Sequence, residues 1–213
     1  GRKVEKSPLE CRFTGRRGGA ECIIRAPYRC PPLVPATVAP AAQTDVIVIG
    51  GGPAGSTVST LLARRGWQVA MFEKERHPRF HIGESLLPMN MPIVERLGAM
   101  HKLQAIGVIK LGADFEAANE RGYNTFEFAR ALGDSPPHAF QVKRQEFDEM
   151  LFRHAAENGV QAFEAARVAD VAFDADGVDV TVVDANGERK WRAKQLVEQG
   201  ADVAIGSREG EGA

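Results

Sequence analysis

One stretch constrains the fold more than any other: Thr44–Ile49 running directly into Gly50-Gly51-Gly52-Pro53-Ala54-Gly55. Residues 44–49 are β-branched and nearly all apolar, the pattern of a strand covered on both faces in a parallel sheet. Gly50, Gly52 and Gly55 fill the fixed places of G-x-G-x-x-G. They give a tight turn, close backbone approach to a pyrophosphate, and close packing of helix on strand. Pro53 suits a first helical turn. The helix is predicted to run to about Arg65, with Ala54, Val58, Leu61 and Leu62 on one face and Gly66 as C-cap. Its N-terminus, at Pro53 and Ala54, points N–H groups and a positive dipole end at phosphates. A second predicted strand, Gln68–Glu73, ends in an acid 23 positions after Gly50, placed to accept hydrogen bonds from a ribose, with Lys74 beside it. Strand, turn, helix and acid together point to a dinucleotide site. A glycine-rich turn without a ligand is the plain alternative.

The chain then enters a Gly/Pro-interrupted stretch and β-rich sequence instead of continuing to alternate helix and strand. That organisation suits FAD better than a nicotinamide cofactor. At 213 residues, with 44% hydrophobic and 26% charged residues, the composition is that of an ordinary globular domain. No run of about 18 apolar residues exists, which excludes a transmembrane helix. A net charge of −1 argues against a nucleic-acid partner. Residues 1–43 differ from the rest: they are basic and Pro-rich and hold Cys11, Cys22 and Cys30. They read as a disordered leader. Few serines and threonines and no amphipathic arginine helix weaken a targeting reading, and no apolar run supports a secretory signal. The cysteines form no C-x-x-C pair, and His101, His138 and His154 form no constellation, so no metal is assigned. A cytoplasmic protein is expected.

The most distinctive segment is His77-Pro78-Arg79-Phe80-His81-Ile82-Gly83-Glu84-Ser85-Leu86-Leu87-Pro88. Together with the glycine turn it resembles flavin-dependent halogenases and their relatives among FAD-dependent monooxygenases and geranylgeranyl reductases. The resemblance covers about residues 44–197. It implies an α/β fold: a Rossmann-like FAD-binding domain of the GR2 type, an antiparallel β-meander and the start of a substrate-side sheet. It implies FAD along Gly83, Glu84 and Ser85, where Gly83 permits a turn against a flat ring. The residues alone also allow Ser85 as an N-cap with Pro88 in the first turn. In the halogenases a lysine on a strand soon after this segment holds the electrophilic halogen, and Lys110 stands in that place. A solvated lysine on an edge strand is the alternative. Val142-x-Arg144-x-x-Phe147-Asp148-x-x-Leu151 resembles a further family segment. Arg144 there either meets the pyrophosphate or pairs with Asp148 at i+4. Val168 matches a strand position that contacts the adenine through its backbone. The implied partners are an aromatic small molecule, halide, O2 and a separate flavin reductase.

The remaining elements follow from periodicity and turns. Met89–Ala105 is predicted mostly helical, with Ile93, Val94, Leu97 and Met100 on one face, interrupted by Pro92 and Gly98, and Met89 and Met91 as packing residues. Val108–Glu116 and Tyr123–Ala129 are predicted strands. Phe115, Tyr123, Phe126 and Phe128 read as core before they read as a pocket. Strand Ala139–Val142 precedes helix Gln145–Asn158, with Phe147, Met150, Leu151 and Ala155 inward. Strands 160–163, 167–173, 178–183 and 189–193 follow, the last three separated by the hairpin turns Asp174–Gly177 and Asp184–Gly187. The expected organisation is a leader (1–43), an FAD-binding βαβ part (44–107), the start of the substrate-side sheet (108–138), a return to the FAD-binding domain (139–197) and a flexible tail (198–213). After Val197 the family pattern Asp-Ala-x-Gly is replaced by Glu198-Gln199-Gly200-Ala201, and the Gly-Asp-Ala and Trp-x-Trp-x-x-Pro motifs do not occur. A truncated catalytic body with exposed apolar surface is expected. A hydroxylase, a prenyl reductase or a non-catalytic FAD-binding fragment are the alternatives.

Overall fold

The computed structural model describes residues 41–116 and 122–198. Of the leader expected over 1–43, residues 1–40 lie outside the described residues, and Ala42 and Gln43 belong to the first strand instead; of the tail expected over 198–213, residues 199–213 lie outside, and Glu198 ends the last strand. Strand β1 (Ala42–Ile49) leads into α1 (Pro53–Ala63) and β2 (Val69–Phe72). After a long loop come α2 (Met91–Arg96), α3 (Met100–Ile106), β3 (Val108–Lys110), β4 (Gly112–Glu116) and β5 (Tyr123–Glu127). Then follow β6 (Ala139–Gln141), α4 (Arg144–Glu157), β7 (Gln161–Phe163), β8 (Arg167–Asp174), β9 (Gly177–Asp184) and β10 (Gly187–Glu198). The main sheet has the order β7-β2-β1-β10-β9-β8. Its β7, β2, β1 and β10 run parallel, and β10, β9 and β8 form the antiparallel meander. The expected α/β FAD-binding architecture is thus present, with both predicted hairpins in place. Asp174 and Asp184 each accept the N–H two residues on, at 2.8 and 2.7 Å, which closes the turns.

One face of the sheet carries Ile47, Phe72, Val178, Val180, Val182, Trp191 and Leu196. Phe72 stacks on Phe163 and meets the edge of Trp191, each at 5.2 Å between centroids. The other face is covered by α1 and α4, with Val48, Met71, Phe152 and Ala155 between them. A third cluster joins α2, α3, β6 and α4 through Val94, Leu97, Leu103, Phe140 and Leu151.

Several expectations are corrected. Of the expected apolar face of α1, Val58 and Leu62 pack half-buried against the sheet core and Leu61 against the third cluster, while Ala54 is exposed and the fully buried residues are Gly55, Ser56, Ser59 and Thr60. The reason is distance: a helix lying flush on strands needs small residues beneath it. The hydroxyls are satisfied locally. Ser56 donates to the Gly51 carbonyl and Thr60 to the Ser56 carbonyl, at 3.0 and 2.8 Å. The expected interruption at Gly98 is present, its φ of +67° ending α2, while Pro92 lies inside α2 without breaking it. Met91 is packed, but Met89 and Ile93 are 63% and 44% exposed, so neither is a core residue. The strand expected over 108–116 breaks at Leu111, because β3 pairs with β6 and β4 with β5. Phe115 and Phe126 are exposed, packing edge-on against each other at 5.5 Å and not in the core. Strand β10 is longer than expected and runs parallel to β1 as far as Glu198.

Candidate cofactor cleft

The chain leaves β1 through Gly50, whose φ of +101° only glycine adopts without strain. Its N–H donates to the Phe72 carbonyl at 2.8 Å, which ties the turn to β2. A Cβ on Gly51 would stand 2.6 Å from the Phe152 ring and 2.9 Å from the Glu73 Cβ, so this residue too must be glycine. Gly52 is the N-cap of α1 and offers no side-chain cap, and Pro53 brings no N–H. The helix start therefore presents the exposed Ala54 to a close ligand, with no acid in the first turn to repel an anion. A pyrophosphate fits this cradle.

Glu73 is buried at the end of β2. One carboxylate oxygen accepts the Gly51 N–H at 2.7 Å and the other accepts the Glu75 N–H at 2.9 Å. The acid and the glycine turn are thus one hydrogen-bonded unit. Lys74 is exposed. Ala166, just before β8, donates to the Glu73 carbonyl at 2.9 Å, so the entry to β8 and Val168 lies against the same corner. The Val168 side chain packs on the sheet core, at a β-bulge that precedes Asp170.

The segment Gly83-Glu84-Ser85 is not a helix entry. Gly83 has a φ of +105°, Glu84 accepts the Val142 N–H at 2.9 Å, Ser85 pairs with Gln141, and Leu86 donates to the Phe140 carbonyl at 3.0 Å. The segment lies along β6, whose other edge pairs with β3. Ser85 is therefore not an N-cap; Asn90 serves the following turn by accepting the Leu87 N–H at 2.8 Å. Ser85 Oγ instead accepts a hydrogen bond from Lys110 Nζ, and that ammonium lies 5.3 Å from the centre of the Phe128 ring. Three segments far apart in sequence meet here.

Arg144, the first residue of α4, forms the paired contact with Asp148, at 2.8 and 3.2 Å. It also donates to the Ile82 carbonyl at 2.7 Å, so it braces the loop at Gly83. The ion-pair reading holds. The same guanidinium lines a cavity of about 370 Å³ with Pro53, Ala54, Gly83, Leu86 and Phe147. Among the described residues no group of histidine, cysteine and acidic side chains is arranged to hold a metal.

Sequence reasoning missed Gly51, Arg79 and the pairing of Ser85 with Lys110. Gly51 was legible as the middle of three consecutive glycines. Arg79 reaches Glu73 at 3.4 Å and Glu75 at 3.7 Å, and its i+4 spacing from Glu75 was the available signal.

The fold and cleft define a Rossmann-like flavoprotein, and the chain belongs to the FAD binding domain family, whose pattern matches residues 43–204. FAD is the cofactor of that family. Within it the chain is similar to flavin-dependent halogenases. It is 41% identical over 163 residues to the tryptophan 2-halogenase of Chondromyces crocatus, covering 74% of this chain and 28% of that protein. It is 43% identical over 136 residues to the flavin-dependent halogenase armH4 of Armillaria mellea, covering 62% of this chain and 25% of that protein. The structure of the myxobacterial chondrochloren halogenase CndH superposes with a TM-score of 0.69 at 38% identity, over 74% of this chain and 37% of that one. The chain thus spans well under half the length of these relatives. No helix among the described residues is long and apolar enough to cross a membrane.

Proposed function

We propose that this chain carries the FAD-binding part of a flavin-dependent halogenase acting on an aromatic or otherwise electron-rich small molecule. The observation that carries the reading is Lys110 held against Ser85 of the Gly83-Glu84-Ser85 segment. FAD, when bound and reduced, supplies the chemistry that turns O2 and halide into an electrophilic halogen. The residues of the chain do the rest. The glycine turn and the start of α1 hold the pyrophosphate, Glu73 accepts from the ribose hydroxyls, and Val168 offers backbone to the adenine. Glu84 and Ser85 line the flavin side, and Arg144 fixes the loop that bears them. Lys110 then presents the halogen to the substrate: its ammonium donates a hydrogen bond to hypohalous acid, or its neutral amine takes the halogen from hypohalous acid as an N-halo amine, the oxygen leaving as water. Reduced flavin comes from a separate reductase, in the cytoplasm.

The test is Lys110→Met, assayed with reduced FAD, O2 and halide. Halogenated product should fall about a hundredfold or more, the scale of losing a positioned proton-transfer group. FAD binding and O2 consumption should persist. Oxygenated product from the unaltered protein, independent of halide, would assign a monooxygenase instead.

A further inference from the structure

The His77 side chain is completely buried, and the cleft as described makes no use of it. Its Nδ1 lies 2.9 Å from Glu164 Oε1, and its backbone N–H donates to the same oxygen at 2.8 Å. A carboxylate only accepts, so Nδ1 carries the proton. That leaves Nε2 buried with no hydrogen-bond partner. An unpaired buried acceptor is destabilising, and an apolar side chain would fill the space without that penalty. Packing alone therefore does not account for a histidine here.

The surroundings show what the pair holds. His77 stands between Glu75 and Arg79, while Glu164 stands in the connection from β7 to β8. Three backbone hydrogen bonds join the same two stretches: Glu73 N–H to the Phe163 carbonyl at 2.8 Å, Ala165 N–H to Glu75 at 3.2 Å, and Ala166 N–H to Glu73 at 2.9 Å. The imidazole ring also lies 4.7 Å from the Phe152 ring, the ring that closes over Gly51. Arg153 holds the other Glu164 oxygen at 2.9 Å. The pair thus closes the loop that begins at Glu73 and brings Arg79 back to it.

We infer that His77 and Glu164 form a clasp that positions Glu73 and Arg79 for the adenosine half of FAD. The inference rests on the reading of Glu73 as the ribose acceptor. Neither clasp residue touches the cofactor; both are positioning residues.

The test compares FAD with FMN, which shares the flavin and one phosphate but lacks adenosine. In the full chain His77→Leu should raise the FAD Kd about tenfold and move the FMN Kd less than about twofold. His77→Asn, whose amide N–H replaces the Nδ1 donor, should restore the FAD Kd. If both Kd values rise together, if His77→Leu binds FAD normally, or if His77→Asn is no better than His77→Leu, the clasp is overturned. Should His77→Leu fail to fold, Glu164→Ala is read in the same way. Hydrogen exchange of the cofactor-free protein gives a second readout. Amides of 73–79 should exchange faster in the variant while β1 stays protected; unchanged exchange overturns the clasp. Failure of the unaltered protein to prefer FAD over FMN, with exchange in 73–79 responding as expected, overturns the ribose reading and with it the assignment to adenosine.

Discussion

Gly51 shows how much a single position can carry. It is neither of the two glycines the motif reserves for the turn and the pyrophosphate, yet its missing side chain is what lets Phe152 and Glu73 close over the turn. A methyl group there would overlap a ring buried in the sheet–helix core, not a flexible side-chain end. Gly51→Ala should cost about 1–3 kcal/mol of stability, the range for overpacking a tight core. It should also weaken FAD binding, because the Gly51 N–H to Glu73 bond shares the displaced backbone. Urea unfolding with and without FAD measures both effects. Gly50, Gly52 and Gly55 were legible in the sequence because one turn holds all three, and Glu73 because the strand–turn–helix–strand unit fixes its distance from them. Ser85 and Lys110 were each marked by resemblance, but their pairing was not: they are 25 positions apart, and only the ladder through β6 brings the two together.

At the scale of elements, the helix layer is tied together by a histidine. His154 of α4 contacts the Leu97 carbonyl at the end of α2 through Nε2, at 2.7 Å, and its Nδ1 is buried without a hydrogen-bond partner. Burial pushes the imidazole below its ordinary pKa. Lys102 of α3 and Arg64 after α1 push the same way, against the opposing Leu97 carbonyl and Glu157 of α4. The unfolded chain therefore binds the proton more readily than the folded one. Stability is at its full value above the unfolded pKa near ~6.5 and declines as pH falls from there toward the folded pKa. His154→Gln, which keeps a donor for Leu97, should flatten that slope as pH falls below about 6.5; a slope equal to the parent's would show that other groups produce it. The limits of sequence reading lie at this scale too. The hairpins were readable because Asp and Gly at fixed offsets make turns without help. The small-residue strip Ser56, Ser59 and Thr60 under α1 was not read because apolar periodicity does not report how closely a helix must lie on a sheet. The break at Leu111 was invisible because β3 and β4 take different partners, and partner choice is not written in a strand's own residues.

The whole molecule depends on one distant pairing. β10 lies between β1 and β9, and pairs Val197 with Val48 across most of the chain. Without β10 the parallel half of the sheet and the β8–β9 hairpin share no edge. The strand also brings Trp191, Ala193 and Leu196 into the core that contains Ile47, Phe72 and Val180. Burying a large apolar side chain contributes about 1.5–3 kcal/mol, and a domain of this size is stable by about 5–15 kcal/mol. Losing two such side chains, the β1 ladder and the β9 ladder together removes a large share of that margin. It also uncovers Ile47, Val180 and Val182. A chain ended after Asn186 should therefore show no cooperative thermal transition by circular dichroism, even though β1, the glycine turn and α1 are intact. Since the dinucleotide signature lies wholly within the retained part, FAD binding by that shorter chain separates two views of the fold. If it still binds FAD and melts cooperatively, the βαβ unit is an independent platform. The expected loss of both makes β10 the strand that turns a local signature into a working cleft.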